Sequence, residues 1–243
     1  MTQTQLSGVY NFRDLGGLPT PLGTTRFGAL FRSDAPYELS DLDQSLLAQL
    51  GLRRVIDLRS PEEIARKIVT FVDSSIERSY VPIMNSAAPE KFVSAKGRLP
   101  PLDQLYRTML QDRGHHLATA VKLIDTGDGG STLVHCTAGK DRTGLVIALA
   151  LSAVGVPNEL IAADYAATKA RLTGTWSQRM LAELSDLGTP IDDDLQTLIV
   201  ASPASSMIEV LSYVEAEGGT QRYLLDHGMS RTDLEALTRH LVA

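Results

Sequence analysis

The feature that most constrains the fold is a segment near the middle of the chain that is apolar nearly all round. Residues 143–154 have the pattern of a helix, and a short β-rich run at 132–135 ends a few residues before it. A helix without a polar face is usually buried inside a domain rather than lying on its surface. The two segments therefore predict a central strand, a loop and a buried helix, a unit typical of an α/β fold.

Other segments fit the same fold. β-rich runs at 54–58 and 79–83 alternate with helical patterns, which favours a mostly parallel central sheet flanked by helices. From Pro157 onward the pattern is helical almost throughout, and Pro157 suits the first position of a helix. We find no repeat or linker, so we expect one domain over residues 1–243 with a helical C-terminal half. The predicted helices cover 103–110, 115–125, 157–170, 175–187, 191–198, 204–217 and 222–226, and a last one begins at a Ser230–Asp233 cap.

Charge and composition restrict the function. The sequence is 43% apolar and 21% charged, as in ordinary globular proteins. A formal charge of −6 disfavours broad attraction to nucleic acid or anionic membranes, so an anionic substrate needs a local cluster of positive groups. The longest apolar stretch, 144–154, is too short to span a membrane. Residues 1–5 lack the features of a secretory signal, so we expect a cytoplasmic protein, with export by another route left open.

The chain has one cysteine, so its thiol is either inert core or a reactive group. A loop that runs into a helix N-terminus points unpaired N–H groups into one concavity, where the helix dipole adds positive charge. Gly139 lets the backbone approach an anion closely, and Arg142 supplies a planar fork for two phosphate oxygens. A phosphate-binding loop is therefore predicted in the string His135-Cys136-Thr137-Ala138-Gly139-Lys140-Asp141-Arg142-Thr143-Gly144.

In such a loop Cys136 is expected to be a thiolate, since the N–H groups and Arg142 favour negative charge. A thiolate beneath a bound phosphoryl group attacks phosphorus and forms a cysteinyl-phosphate. Thr143 can donate its hydroxyl to the departing sulfur when water releases inorganic phosphate. A lone cysteine after a strand is more often a small buried hydrophobe, but the whole string in this context favours catalysis. The residues expected to bind the phosphate are Thr137, Ala138, Gly139, Lys140 and Thr143.

The string resembles the signature loop of the bacterial tyrosine phosphatase family whose members also hydrolyse phosphoinositides. Residues 11–17, 31–35 and 55–60 resemble that family's N-terminal motifs, and residues 223–241 resemble its C-terminal helices. The resemblance implies a phosphatase fold with a central sheet, no metal or other cofactor, and in some members a helical lid over the site. The candidate lid is the stretch from about 168 to 202, although its helical spacing describes core packing equally well.

The general acid has several candidates. Tyrosine phosphatases commonly take it from a Trp-Pro-Asp loop, but Ser-Gln follows the only tryptophan, Trp176. Asp141, inside the phosphate loop, is the first candidate, and Asp57, at a strand end, is the second. Asp34, Asp103 or no acid at all are the remaining alternatives. Asp141 would otherwise only brace the loop.

Other polar residues are assigned to support. His135 is expected to hydrogen-bond the backbone and hold the loop. The remaining four histidines lack the spacing of metal ligands, so no metal site is expected. Two roles are open for Arg13, Arg32 and Arg59. These arginines either add positive field near the site or form salt bridges.

The leading interpretation is a metal-independent phosphatase that acts on phosphotyrosine, with phosphoserine, phosphothreonine and phosphoinositides as further substrate classes. Two alternatives are a phosphate-binding module that has lost turnover and a sulfurtransferase of the rhodanese type. The presence together of Cys136, Arg142 and Thr143 argues against the first, and Lys140 beside Asp141 favours phosphate over the second. Lys140 either reaches a second phosphate on an inositol ring or merely neutralises Asp141.

Overall fold

The computed structural model describes residues 6–84 and 102–243; residues 1–5, which bear on a secretory signal, lie outside this part of the chain. The strands are β1 (Arg13–Asp14), β2 (Pro19–Thr20), β3 (Gly23–Thr24), β4 (Leu30–Ser33), β5 (Leu52–Asp57), β6 (Glu77–Tyr80) and β7 (Ser131–His135). The helices are α1 (Asp41–Gln49), α2 (Pro61–Arg66), α3 (Leu102–Asp112), α4 (Gly114–Lys122), α5 (Asp141–Ala153), α6 (Asn158–Leu172), α7 (Thr175–Asp186), α8 (Asp193–Val200), α9 (Ala204–Ala216), α10 (Thr220–Asp226) and α11 (Arg231–Leu241).

Five strands form a central sheet in the order β1-β4-β7-β5-β6. The middle strand β7 is parallel to both β4 and β5, β6 is parallel to β5, and β1 is antiparallel to β4. Ser33 at the end of β4 and Asp57 at the end of β5 both pair with His135 at the end of β7. The predicted mostly parallel sheet is confirmed, and the loops after these three strands meet at one edge, where α/β proteins bind ligands.

Side chains along the strands alternate between the two faces of the sheet. Ile56 and Val134 belong to a large core that they share with α3–α6 and α9–α11, whereas Val55 and Leu133 belong to a smaller core with α1 and the N-terminal segment. In α5, residues 145–151 are all buried, which confirms the prediction of a helix without an exposed face. The β7–α5 unit carries the predicted phosphate loop.

Several predicted boundaries need correction. Pro157 is not the first helical residue but the N-cap of α6, with ψ of 137° and a carbonyl that accepts the first bonds of the helix. The strand predicted at 79–83 begins and ends earlier, at Glu77–Tyr80, and the helix predicted at 115–125 ends at Lys122, where the chain tightens into a turn. The Ser230–Asp233 cap is confirmed. In the described part of the chain, no helix is long and apolar enough to cross a membrane.

Candidate active site

The predicted phosphate loop lies at the carboxyl edge of the sheet, between the end of β7 and the start of α5. Gly139 has a φ of +64°, and a Cβ there would lie 2.1 Å from the carbonyl oxygen of Ser33. This position therefore requires glycine. Among the described residues, no side chain caps the N-terminus of α5 at Lys140. The N–H groups of the first turn are consequently available to an anion.

Arg142 is held beside Cys136 by Glu63, which lies in the first turn of α2. Nη1 of Arg142 donates to Oε2 of Glu63 at 2.5 Å and Nη2 donates to Oε1 at 2.8 Å. The hydroxyl of Thr137 donates to the same Oε1 at 2.5 Å. Cys136 itself is only 2% exposed. The site thus combines a buried sulfur with a guanidinium whose orientation is fixed by two hydrogen bonds.

The charges at this pair stabilise one another. Burial opposes the charge on Arg142, but the Cys136 sulfur and the Glu63 carboxylate outweigh burial and raise the pKa of Arg142 above its ordinary value. Burial alone would raise the pKa of Glu63, yet the hydrogen bonds and charge of Arg142 lower it to about 2. Both side chains are therefore ionised at neutral pH.

Asp141 is the first residue of α5 and makes its hydrogen bond to a buried tyrosine. Tyr106 of α3 donates its hydroxyl to Oδ1 of Asp141 at 2.6 Å, and the hydroxyls of Tyr106 and Tyr165 are 2.5 Å apart. Burial, with the charge of Asp141, raises the pKa of Tyr106 well above its ordinary value, so this hydroxyl keeps its proton at neutral pH. The side chain of Asp141 is still 27% exposed. The carboxylate is thus held at one oxygen and remains partly exposed.

Lys140 connects the loop to α8. Its side chain is only 3% exposed, and Nζ donates to the carbonyl oxygen of Leu198 at 2.5 Å. The same Nζ lies 3.7 Å from Oδ1 of Asp141. The cation therefore neutralises Asp141 in part and also satisfies a carbonyl in the last turn of α8.

The other predicted phosphate-binding residues lie in the loop as expected, but not all make the expected contacts. Thr143 is fully buried, and its Oγ1 has no hydrogen-bond partner within the described residues. A hydrogen bond to the Cys136 sulfur is therefore not formed here, and its donation to the departing sulfur stays a prediction. Ala138 and Gly139 are held through their carbonyl oxygens, which accept from Nδ2 of Asn11.

Asp57 and His135 are paired residues at the ends of β5 and β7, and the loop begins directly after His135. Both oxygens of Asp57 accept from Arg59, the shortest contact being 2.6 Å from Nη2. His135 has Nε2 3.8 Å from Oδ2 of Asp57 and Nδ1 3.2 Å from the carbonyl oxygen of Cys136. Burial favours the neutral form of Asp57, but His135 and Arg59 outweigh it and lower the pKa of Asp57. Asp57 is thus held as an ion-paired carboxylate.

Of the two roles considered for Arg13, Arg32 and Arg59, the structure shows salt bridges. Arg13 and Arg32 both contact Asp164 of α6 at 2.6 Å, one on each carboxylate oxygen, and Arg59 contacts Asp57. Burial raises the pKa of Asp164, but Arg32 and Arg13 outweigh it and lower that pKa. The two N-terminal arginines therefore tie β1 and β4 to α6.

Sequence reasoning missed four residues of this site, namely Glu63, Tyr106, Asp164 and Tyr165. Ser60 and Glu63 form a capping box at the start of α2, a pattern visible in the sequence, but the pairing of Glu63 with Arg142 depends on the fold. Asp164, Tyr106 and Tyr165 lie in helical stretches, where spacing carries no information about what a carboxylate or hydroxyl contacts. No sequence pattern distinguishes them from ordinary helix residues.

The chain is similar to known proteins along nearly its whole length. A sequence model of the tyrosine phosphatase family matches residues 4–243. The triple specificity protein phosphatase PtpB of Mycobacterium tuberculosis is 27% identical, covering 98% of this chain and 98% of that protein. A putative tyrosine-protein phosphatase of Cupriavidus necator is 31% identical, covering 97% of this chain and 86% of that protein. Among solved structures, the Siw14 catalytic core is 14% identical with a TM-score of 0.46, covering 92% of this chain and 95% of that one.

Proposed function

Since the chain belongs to the tyrosine phosphatase family, we propose that Cys136 is the nucleophile with which it hydrolyses phosphotyrosine. The observation that carries this assignment is the buried sulfur beside Arg142, whose guanidinium is held in place by Glu63. The uncapped N-terminus of α5 supports it, because N–H groups and a helix dipole favour an anion at the same point.

In the first step, the Cys136 thiolate attacks phosphorus, and a P–S bond forms as the P–O bond to the tyrosyl oxygen breaks. Arg142 and the loop N–H groups stabilise the charge on the three equatorial oxygens. In the second step, water attacks the cysteinyl-phosphate, and inorganic phosphate and the thiolate are released. Thr143, whose buried hydroxyl has no partner in the described part of the chain, is available to donate to the departing sulfur.

We assign the general acid to Asp141. Tyr106 holds Oδ1, which leaves Oδ2 to carry the proton to the leaving oxygen and then to take one from the attacking water. The second candidate, Asp57, is less suited because Arg59 occupies both of its oxygens and its pKa is lowered. Asp34 has a pKa raised by burial to about 7, but it is 3% exposed and its Oδ1 accepts two backbone N–H groups.

The acid assignment is tested by leaving-group dependence. Asp141→Asn should slow an alkyl phosphate far more than an activated aryl phosphate, because the aryl oxygen departs without protonation. Asp57→Asn, in which the acid assignment predicts no such contrast, serves as the matched control. Equal losses on both substrates in Asp141→Asn would move the acid to another residue.

The substrate range is proposed to include phosphoserine, phosphothreonine and phosphoinositides. The name of PtpB as a triple specificity phosphatase supports breadth, and Lys140 in the loop supports a second anionic group. To reach a second phosphate, Lys140 must leave the Leu198 carbonyl. Lys140→Ala should then reduce kcat/KM for phosphoinositides more than for a phosphotyrosine peptide. An unchanged ratio, or no lipid turnover by the unaltered protein, would refute the lipid part alone.

We propose that the region from about 168 to 202, within one domain of residues 1–243, acts as a lid. The contact between Lys140 and α8 supports this, because opening of α8 would free the loop cation.

We also propose that catalysis needs no metal ion, since Arg142 and the loop N–H groups supply the positive charge. The reactive lone thiol suits a reducing compartment such as the cytoplasm, and fractionation of cells would test that location.

The central experiment measures turnover of phosphotyrosine peptides by the unaltered protein and by Cys136→Ser. The variant should keep phosphate binding and lose turnover by several orders of magnitude, roughly as loss of other catalytic nucleophiles does. A chelator should leave the rate unchanged. Near-normal turnover in the variant, or full inactivation by a chelator, would exclude the proposed mechanism. Binding without turnover in the unaltered protein would instead support a phosphate-binding module.

A further inference from the structure

Every carbonyl oxygen of the phosphate loop from Cys136 to Lys140 is held by a hydrogen bond. Nδ1 of His135 contacts the first at 3.2 Å, and the backbone N–H of Ala35 donates to the second at 3.1 Å. Nδ2 of Asn11 donates to the oxygens of Ala138 at 3.1 Å and Gly139 at 3.0 Å. Nη2 of Arg32 donates to the oxygen of Gly139 at 2.7 Å. The oxygen of Lys140 accepts the helical N–H of Gly144 at 2.8 Å and lies 3.5 Å from Nη2 of Arg32. Two N-terminal side chains thus bind two consecutive carbonyls, those of Ala138 and Gly139, whereas the carbonyl of Lys140 is held chiefly by α5 itself.

These bonds determine where the N–H groups point. A trans peptide is planar, and its N–H points opposite to its C=O. When Asn11 and Arg32 hold the carbonyls of 138 and 139, the N–H groups of 139 and 140 must point the other way. That direction is toward the loop's concavity, in which the phosphate is proposed to bind. Several aligned N–H dipoles repel one another, so an unsupported loop would relax away from this arrangement.

The orientation of Asn11 is itself fixed. Its Oδ1 accepts from Nη1 of Arg13, and since arginine only donates, Nδ2 is left to face the loop. Its backbone N–H donates to Oδ1 of Asp34 at 2.7 Å. Arg32 is fixed in the same way, because its Nη1 donates to Asp164 at 2.6 Å. Both side chains are essentially unexposed, so water does not compete for the loop carbonyls.

We propose that Asn11 and Arg32 are positioning residues that aim the N–H groups of 139 and 140 at the phosphoryl group of the substrate. This inference rests on the proposed function of the loop and adds to it two residues that do not touch the substrate. Their contribution is largest in the transition state, where the equatorial oxygens carry the most charge.

The test compares turnover with binding of orthovanadate, which adopts the five-coordinate geometry of the phosphoryl transition state. In Asn11→Ala, kcat/KM for a phosphotyrosine peptide and the affinity for vanadate should fall together by roughly 10-fold to 100-fold. This is less than the roughly 100-fold to 1000-fold loss expected when a direct oxyanion donor is removed, because the N–H groups remain but are no longer held in place. Rates are expressed per active site, counted from the burst of released tyrosine. Arg32→Lys keeps a positive charge but cannot bridge Asp164 and the loop, so it should act in the same direction.

Thr168→Val is the matched control, because it removes a buried hydrogen bond from Arg13 in the same network and leaves the loop contacts in place. It should lower the melting temperature and leave the vanadate affinity at the level of the unaltered protein. If Asn11→Ala and Arg32→Lys also change only the melting temperature, or if Thr168→Val weakens vanadate equally, the positioning role is wrong. If Asn11→Ala does not fold, Arg32→Lys decides alone. Absence of turnover in the unaltered protein would overturn the proposed function instead.

Discussion

Arg142 and Glu63 meet through two hydrogen bonds, and this geometry makes a specific demand on the residue at position 142. An ammonium is a point charge and cannot bridge two carboxylate oxygens while also presenting two donors to a phosphate. Arg142→Lys should therefore lower kcat/KM by about 100-fold or more, as measured with a phosphotyrosine peptide. Glu63→Gln keeps the shape of the partner side chain and should lower kcat/KM by a smaller factor than Arg142→Lys does. A lysine variant that retains most of its activity would contradict the clamp role of Arg142.

The same pair predicts how stability depends on pH. The pKa of Glu63 falls from an ordinary value of 4.5 to about 2 in the folded protein, so the folded state favours the carboxylate. The stabilisation is complete above about pH 4.5 and is lost as the pH falls toward 2, with an upper bound of about 3 kcal/mol. Urea unfolding between pH 7 and 3.5 should show that the difference between the unaltered protein and Glu63→Gln shrinks with acidity. A difference that is constant with pH would assign the effect to packing.

At the scale of elements, α8 is attached to the loop through the contact of Lys140 with the Leu198 carbonyl. Carbonyls in the last turn of a helix lack intrahelical partners, so loss of this donor should weaken the end of α8. Lys140→Met should accelerate amide hydrogen exchange in α8 and leave α11, which is distant in the chain and capped by Ser230, unchanged. Equal exchange in α8 before and after the substitution would show that packing alone holds this helix.

The elements also show what sequence patterns can and cannot reveal. The buried helix α5 and strand β7 were predictable because a helix that is apolar all round has no alternative to burial. Strands β1 and β4 were missed, since two to four residues are too few for a periodic pattern, yet β4 lies next to β7 in the sheet. The sequence marks Asn11 only as part of a motif, and it marks Arg32 only as a source of positive field or a salt-bridge partner. Their contacts join residues more than 100 positions apart, which local patterns do not encode.

The whole molecule carries a net charge of −6, yet a phosphatase must bind a dianionic phosphoryl group. Arg142 lies at the start of α5, Arg32 donates to the Gly139 carbonyl, and Arg13 donates to Asn11. Each of these arginines is paired with a carboxylate of Glu63 or Asp164. The positive field at the site is therefore short in range and comes chiefly from one guanidinium and the oriented N–H groups. Binding should consequently depend on contact with the phosphoryl group rather than on long-range attraction.

The whole chain contains one cysteine, and this determines how the protein responds to oxidation. If Cys136 is the proposed thiolate nucleophile, peroxide should convert it to a sulfenic acid, and the distal oxygen of the peroxide should leave as water. A second thiol would normally condense with that acid to form a protective disulfide. Here no second thiol exists, so a further equivalent of peroxide should give the sulfinic acid, which dithiothreitol does not reduce. Brief exposure should therefore be partly reversible and prolonged exposure irreversible, as followed by activity and by mass spectrometry of the loop peptide.

Inorganic phosphate, which is proposed to occupy the same loop, should slow both oxidation steps. A backbone nitrogen can also trap the sulfenic acid as a sulfenamide. Complete recovery of the thiol after prolonged exposure, with no sulfenamide detected, would show that another mechanism protects the cysteine.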